Sequence, residues 1–375
     1  MTQTSTATKG LEGIVATTSA ISSIIGTTLT YRGIDINELA AHSTFEEVAY
    51  LLWYGELPTQ DQLQAFKQDL ARNRQLSPQI LQDISNYPRD ANTMVALRTA
   101  ISSLAFYDPE AGEMSPDANH DKAVRLLAKF PTVVAAIQRY REGEQPVPPR
   151  QDLDEASNFL YMLKGEMPSE LDAHVMDVAL ILHADHELNA STFTARVAAS
   201  TLSDMHSAVV AAICTLKGPL HGGANEAVMR TLEQIGEVQN VTGYVRQALE
   251  RKERIMGFGH RVYKEGDPRA KWLKKMSEQL AQAKGDPKWF DMSNRMEEEV
   301  TREKGLLPNV DFYSASVYTY LGIPRDLFTP IFAMSRASGW IAHILEQYAD
   351  NRLIRPRAEY VGPQARRYVP LDQRS

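Results

Sequence analysis

Little in this chain could be oxidised, inserted into a membrane or laid along a nucleic acid. It holds one cysteine, Cys214, in 375 residues, so no internal disulfide can form, which fits a reducing cytoplasm. No stretch reaches about 18 consecutive apolar residues, the length a membrane-spanning helix needs, and no membrane partner is expected. The first nine residues are rich in Thr and Ser and lack a charged start followed by an apolar run. They read as a frayed terminus and not as a signal peptide. An excess of basic residues is also missing. There are 40 Lys and Arg against 47 Asp and Glu, a net charge of -7, which argues against nucleic acid as the main partner. An anionic substrate would have to be held by a local cluster of arginines, not by the overall field. No internal repeat is present, and no low-complexity region beyond the N-terminus.

What is there is mostly helical pattern. Hydrophobic residues make up 43%, enough for a large core, and the length suits two domains better than one. Residues 11–36 alternate β-branched and small residues around Gly26-Thr27, which predicts a short β-hairpin. Phe45 to Leu52 carries helical spacing, with Ser43 or Thr44 as a cap and Gly55 as a stop. Similar helices are expected at about 59–73, 92–106, 120–142, 151–163, 169–187, 192–204 and 206–216. Val175, Val178, Leu182 and His186 share one helical face, which puts His186 in the last turn of the 169–187 helix. Cys214 follows the apolar run Ala208 to Ile213 and reads as a buried core thiol.

Gly218-Pro219 is a strong stop. Beyond it, Gly and Pro punctuate the chain into several shorter helices over 225–325, with Asp267-Pro268 as an N-cap and first helical residue. One longer apolar-striped helix is expected over 327–350, followed by a tail rich in Arg and Pro. The expected fold is mainly α, with a discontinuous large domain (1–222 and 326–375) and a small domain (223–325).

The residues that could carry chemistry sit at the punctuation. His221 follows Gly218-Pro219 and precedes Gly222-Gly223, where a ligand can approach closely; a turn histidine bonded to a carbonyl is the alternative. His260 follows Gly257-Phe258-Gly259. That glycine pair is no dinucleotide fingerprint, since no strand precedes it and a third glycine is missing. A loop packing on a flat ligand or an ordinary surface turn remain open. Asp311 lies between Val310 and Phe312, where partial burial would make it a better base; a helix N-cap is the alternative. His183-Ala184-Asp185-His186-Glu187 lacks the i, i+4 histidine pair of a zincin, so no metal site is expected. Arg269, Arg336 and Arg355 are candidates for bidentate carboxylate binding, Arg336 most sharply because Ser335, Ala337, Ser338 and Gly339 clear space around it.

Taken in order, several segments resemble citrate synthase of the short bacterial type. They are His183 to Ser191, Gly218 to Asn225, Gly257 to Tyr263, Asp267-Pro268-Arg269, Asn309 to Tyr313 and Arg355-Pro356-Arg357. The resemblance runs from about Gly10 to the C-terminus. It implies a mostly helical homodimer in which a small domain closes over a large one. It also implies condensation of acetyl-CoA with oxaloacetate and water to citrate and CoA, acetyl-CoA being a co-substrate and no cofactor being needed. By resemblance, Asp311 is the base, His221 donates to the thioester oxygen and Ser191, with Asn189, orients His221. His260 polarises the ketone. His186, Arg269 and Arg336 bind oxaloacetate, with Arg355 supplied by the other subunit. Gly257, Phe258, Gly259 and Lys264 line the CoA recess. A higher oligomer is compatible with the resemblance. The rival expectations are a 2-methylcitrate synthase acting on propionyl-CoA, a metal-dependent hydrolase and a non-catalytic helical assembly protein.

Overall fold

A computed structural model describes residues 8–374, apart from Glu12, Arg261 and Lys264. Most of the N-terminal stretch read as frayed lies outside the described residues. Strands β1 (Ser22–Ile25) and β2 (Thr28–Tyr31) pair antiparallel, Ser22 opposite Tyr31, around Gly26-Thr27. Gly26 takes a positive φ of 62°, which a tight two-residue turn requires. A two-residue strand β3 (Ile34–Asp35) extends the sheet beside β2. The hairpin is therefore shorter than the 11–36 expected, because residues 13–20 form no strand.

Sixteen α-helices follow among the described residues. In the first half they are α1 (Ile36–His42), α2 (Phe45–Tyr54), α3 (Gln60–Asn73), α4 (Pro78–Ser85), α5 (Thr93–Leu104), α6 (Pro116–Glu142), α7 (Glu155–Lys164) and α8 (Glu170–His183). Then come α9 (Ala190–Ser200), α10 (Met205–Leu216), α11 (Ala224–Ile235), α12 (Val241–Glu250), α13 (Pro268–Lys284), α14 (Lys288–Lys304), α15 (Val310–Tyr320) and α16 (Phe328–Ala349). Caps explain many boundaries. Thr44 and Glu47 form a capping box on α2, and Gly55 ends it in the left-handed conformation. Ser115 caps α6 and Pro116 opens it, so that helix starts earlier than its apolar spacing suggests. Helices α1 and α4, of seven and eight residues, were not anticipated.

Helix α16 is the spine of the core. Nearly every residue from Phe328 to Ile344 is buried, and α2, α6, α8, α9 and α10 pack around it. Helices α11 to α15 pack among themselves, α13 on α15, α11 on α15 and α12 on α14. They meet the others where α13 lies on α8 and α1 and where α11 touches α16.

Two expectations are corrected. Cys214 is exposed, not buried. The inward face of α10 is Met205, Ala208, Val209, Ala212, Ile213 and Leu216, and an apolar run longer than that face leaves Cys214 on the outside with Ser207. His186 is not in a helix turn, because α8 ends at His183. The chain breaks there because Asp185 turns inward, fully buried, to accept from Ser22 Oγ and from the Glu187 amide at 3.2 Å. Tyr31 Oη donates to the Asp185 carbonyl at 2.9 Å, and Glu187 takes a positive φ of 52°. The N-terminal hairpin thus braces the loop that carries His186.

The small residues of α16 make room for this loop. A Cβ on Gly339 would lie 2.3 Å from the Ala184 carbonyl oxygen and 2.5 Å from Asp185 Oδ1. Gly339→Ala is accordingly expected to lower stability by about 3 kcal/mol, since a packed core resists an added methyl. Urea unfolding of the two proteins measures this; equal midpoints would contradict the packing.

Candidate active site

Three loops, the starts of α9, α13 and α15, and the middle of α16 supply the candidate residues. His186 comes from the loop between α8 and α9. Its Nε2 lies 3.0 Å from the Tyr263 hydroxyl, and its ring stands edge-on to His260 with centroids 5.2 Å apart. Nδ1 of His260 accepts from the Val262 and Tyr263 amides at 3.0 and 3.2 Å. Nδ1 is thus an acceptor, which leaves Nε2 as the nitrogen that carries hydrogen.

His221 is held by the stop after α10. The Gly222 amide bonds back to the Gly218 carbonyl at 3.0 Å, and a Cβ on Gly222 would lie only 2.0 Å from the Leu216 carbonyl oxygen. No other residue fits beside His221 in this turn. Its Nε2 lies 2.8 Å from Ser191 Oγ and 3.2 Å from the Ser191 amide nitrogen. Ser191 opens α9, which Asn189 caps through the Thr192 amide. The Ser191 hydroxyl also reaches Asn189 Oδ1 at 2.8 Å and receives the indole N–H of Trp340 at 3.1 Å.

The two cations are deeply buried, each only 2% exposed. Arg269 forms a bidentate pair with Asp267, at 2.9 and 2.8 Å. Asp267 also caps α13 and accepts the Val310 amide at 3.0 Å, which ties the start of α15 to it. Burial opposes ionisation of Asp267, but Arg269 outweighs it and holds the carboxyl below its ordinary range. Arg336 differs. Its Nε donates to the His183 carbonyl at 2.6 Å and its guanidinium lies 4.7 Å over the Phe332 ring. No carboxylate of the described residues lies within ion-pair distance, and burial lowers its pKa to about 10. A buried cation of this kind is a strong attractor for an anion.

Asp311 sits in the first turn of α15; the N-cap is Asn309, which accepts the Asp311 amide at 3.1 Å. The N-cap reading of Asp311 is thus displaced by two residues, and the Asp311 carboxylate remains available. Burial raises its pKa from 3.8 to about 6, with Asp267 adding to the rise and Arg269 and Arg336 opposing it. Burial also depresses the imidazoles: His221 to about 4 and His186 well below its usual value, both pushed further by Arg336. The site therefore presents neutral imidazoles, fixed positive charge and one carboxylate that ionises near pH 6.

Of the residues expected from the sequence, His186, His221, His260, Arg269, Arg336, Asp311, Ser191 and Asn189 are brought together. Arg355 is not. It is exposed on the wall of a separate hollow of about 920 Å³, with Ile14 to Ala20, Arg196 and Glu346. Gly257 and Gly259 have positive φ and hold the loop against α15, and the ring of buried Phe258 packs on Phe312 at 4.5 Å. Lys264 lies outside the described residues. Sequence reasoning missed Tyr263 as the partner of His186, Asp267 as the partner of Arg269, and Trp340. Among the described residues, no three of His, Cys, Asp or Glu are gathered where they could hold a metal ion.

Comparison with known proteins bears on this cluster. The family described as citrate synthase, C-terminal domain, matches residues 10–357. Citrate synthase 2 of Bacillus subtilis (strain 168) is 58% identical over 371 residues, covering 99% of this chain and all of that protein. The 2-methylcitrate synthase of Shewanella oneidensis is 45% identical over 368 residues, 97% of each chain. The crystal structure of citrate synthase from Pyrobaculum aerophilum superposes with a TM-score of 0.91 at 44% identity, covering 98% of this chain and 95% of that one. A citrate synthase from Thermoplasma acidophilum, solved as a ternary complex with carboxymethyl coenzyme A and oxaloacetate, gives 0.92 at 34% identity, covering 98% and 99%.

Asp311 gives a stability test that needs no substrate. Its folded pKa lies above its ordinary value, so its contribution is full below about pH 4 and is lost as pH rises through about 6. A rise of about two units corresponds to at most about 3 kcal/mol. Asp311→Asn is expected to gain stability over the parent across this window and to keep the advantage at pH 8. Denaturant unfolding at pH 4 and pH 8 reads the difference, and a constant gap between the proteins would refute the burial of the charge.

Proposed function

The chain belongs to the citrate synthase family, and from that premise we infer that it condenses acetyl-CoA with oxaloacetate and water to give citrate and CoA. The observation that carries this reading is Asp311, a carboxylate with a raised pKa standing among neutral imidazoles and two buried guanidinium groups. That set suits enolisation beside a carbonyl in the presence of a dianionic partner.

In this mechanism Asp311 removes a proton from the methyl group of acetyl-CoA. A carboxylate of pKa about 6 cannot do so unaided, because the thioester methyl is a far weaker acid. His221 therefore donates a hydrogen bond to the thioester oxygen as negative charge develops there. The enolate carbon attacks the ketone of oxaloacetate, whose oxygen is polarised by Nε2–H of His260 and takes up that proton, while Asp311 retains the one it removed from the methyl group. Arg269, Arg336 and His186 hold the two carboxylates. Water then adds to the thioester carbonyl of citryl-CoA, the C–S bond breaks, and CoA leaves as the free thiol.

The proposal extends to parts of the molecule beyond this cluster. Residues 223–325 act as a small domain that closes on the remainder and keeps water from the thioester until the C–C bond exists. Residues 257–259, with Lys264, form the CoA recess. A homodimer completes the site by lending Arg355 across the interface, and the reaction runs in the cytoplasm without a resident cofactor.

The test is release of free CoA thiol from acetyl-CoA, with and without oxaloacetate, in the presence of chelator, for the parent and Asp311→Ala. Oxaloacetate-dependent release that survives chelator and falls by at least about a thousand-fold in the variant is expected. No release with acetyl-CoA but release with propionyl-CoA would favour a 2-methylcitrate reaction, as in the Shewanella relative. Release independent of oxaloacetate would point to thioester hydrolysis and overturn the condensation.

A further inference from the structure

We propose that His343 is a positioning residue for oxaloacetate: it pins the Asp185 carboxylate to α16 and so fixes where His186 stands relative to Arg336. The proposal rests on the reading of His186 and Arg336 as the groups that hold oxaloacetate, and it names what keeps them in register.

The loop between α8 and α9 runs along one stripe of α16. Arg336 Nε donates to the His183 carbonyl at 2.6 Å. Three residues on, a Cβ at Gly339 would meet the Ala184 carbonyl oxygen at 2.3 Å and Asp185 Oδ1 at 2.5 Å, so the loop lies directly on the helix there. Four residues further, Nε2 of buried His343 faces the Asp185 carboxylate, 3.4 Å from each oxygen. Positions 336, 339 and 343 share one helical face, and they meet residues 183, 184 and 185 in order. Arg336 is thus one clamp on the loop and His343 the other, set immediately before His186.

The hydrogen on His343 is placed by its other neighbour. Nη1 of Arg196 lies 3.2 Å from His343 Nδ1 and can only donate. Nδ1 therefore accepts, which leaves Nε2 to carry the hydrogen that faces Asp185. Arg196 is held from turning away, because Glu346 takes another of its N–H groups and Gln347 Oε1 accepts from Nε at 3.1 Å. Asp185 needs the donor that results. Its carboxylate is fully buried, and Oδ2 takes the Ser22 hydroxyl and the Glu187 amide, while Oδ1 has no hydrogen bond of its own among the described residues. Burial opposes its ionisation, but His343, Arg336 and Ser22 outweigh it and hold the carboxyl below its ordinary range. A carboxylate left short of donors in a dry site is costly, so without His343 the loop turns to bring Asp185 to another donor. His186 is the next residue and swings with it, away from Arg336.

The test compares the full chain with His343→Leu, which fills the space without a donor, and with His343→Gln, which keeps an N–H for Asp185 and an oxygen for Arg196. Titration calorimetry reads oxaloacetate binding without acetyl-CoA, and CoA release reads kcat and both KM values. His343→Leu is expected to weaken oxaloacetate binding and raise its KM about ten-fold, with kcat and KM for acetyl-CoA within about three-fold of the parent. His343→Gln is expected to bind oxaloacetate within about two-fold of the parent. Unchanged oxaloacetate binding in His343→Leu overturns the proposal. So does an equal loss in both variants, which would mark the ring as packing alone. If His343→Leu does not fold, His343→Met, unbranched and also without a donor, takes its place under the same criteria. A parent that binds no oxaloacetate overturns the reading beneath the proposal and the proposal with it. A parent that binds it leaves the variants to decide on His343 alone.

Discussion

A guanidinium in the dry interior with no carboxylate at its side sets the terms for everything around it. Arg336 rests on one carbonyl and one aromatic face, no carboxylate of the described residues pairs with it directly, and Asp185 and Asp311 answer its charge only from a distance. A cation so placed disfavours every other positive charge nearby, which is part of why His186 and His221 are neutral. It also opposes, without cancelling, the effect of burial on Asp311. The same field that would draw in an anionic substrate thus keeps these two imidazoles neutral, each with one N–H donor and one lone pair. The rest of the fold keeps that guanidinium dry: α16 is buried along most of its length, with α2, α6, α8, α9 and α10 packed around it.

Around this charge, the polar groups are held by contacts to backbone more than by one another. The hairpin ties down the loop of His186 through Asp185 and Tyr31. Two amides hold His260 through Nδ1, and the turn at Gly218 to Gly222 holds His221. Backbone amides do not rotate away, so the rings of His260 and His221, which accept from them, are each held in one orientation.

Much of this was legible in the sequence. His221, His260, Asp311 and the arginines sit beside glycine and proline, and those residues mark where the chain leaves one helix for another. The helical character, and the bounds of helices such as α2, α3, α5, α10 and α16, followed from apolar spacing and caps, whereas α11 to α15 were expected only as several shorter helices. What was not legible depends on contacts between distant parts of the chain. Trp340 and Ser191 are 149 residues apart, Tyr263 and His186 are 77 apart, and the Val310 amide is 43 from Asp267. Local spacing carries no trace of such pairs. The early end of α8 has the same origin: apolar periodicity continues through His186, but Ser22 and Tyr31 draw Asp185 inward and stop the helix. Cys214 was misplaced because α10 is apolar beyond the width of its inner face.

Asp267 couples two parts of the site that the sequence keeps apart. One carboxylate grips both Arg269 and the amide that precedes Asp311, so a buried cation and a buried carboxylate are tied into one mechanical part. A displacement of the start of α13 is passed to the start of α15 through that single side chain, and neither charged group can move alone.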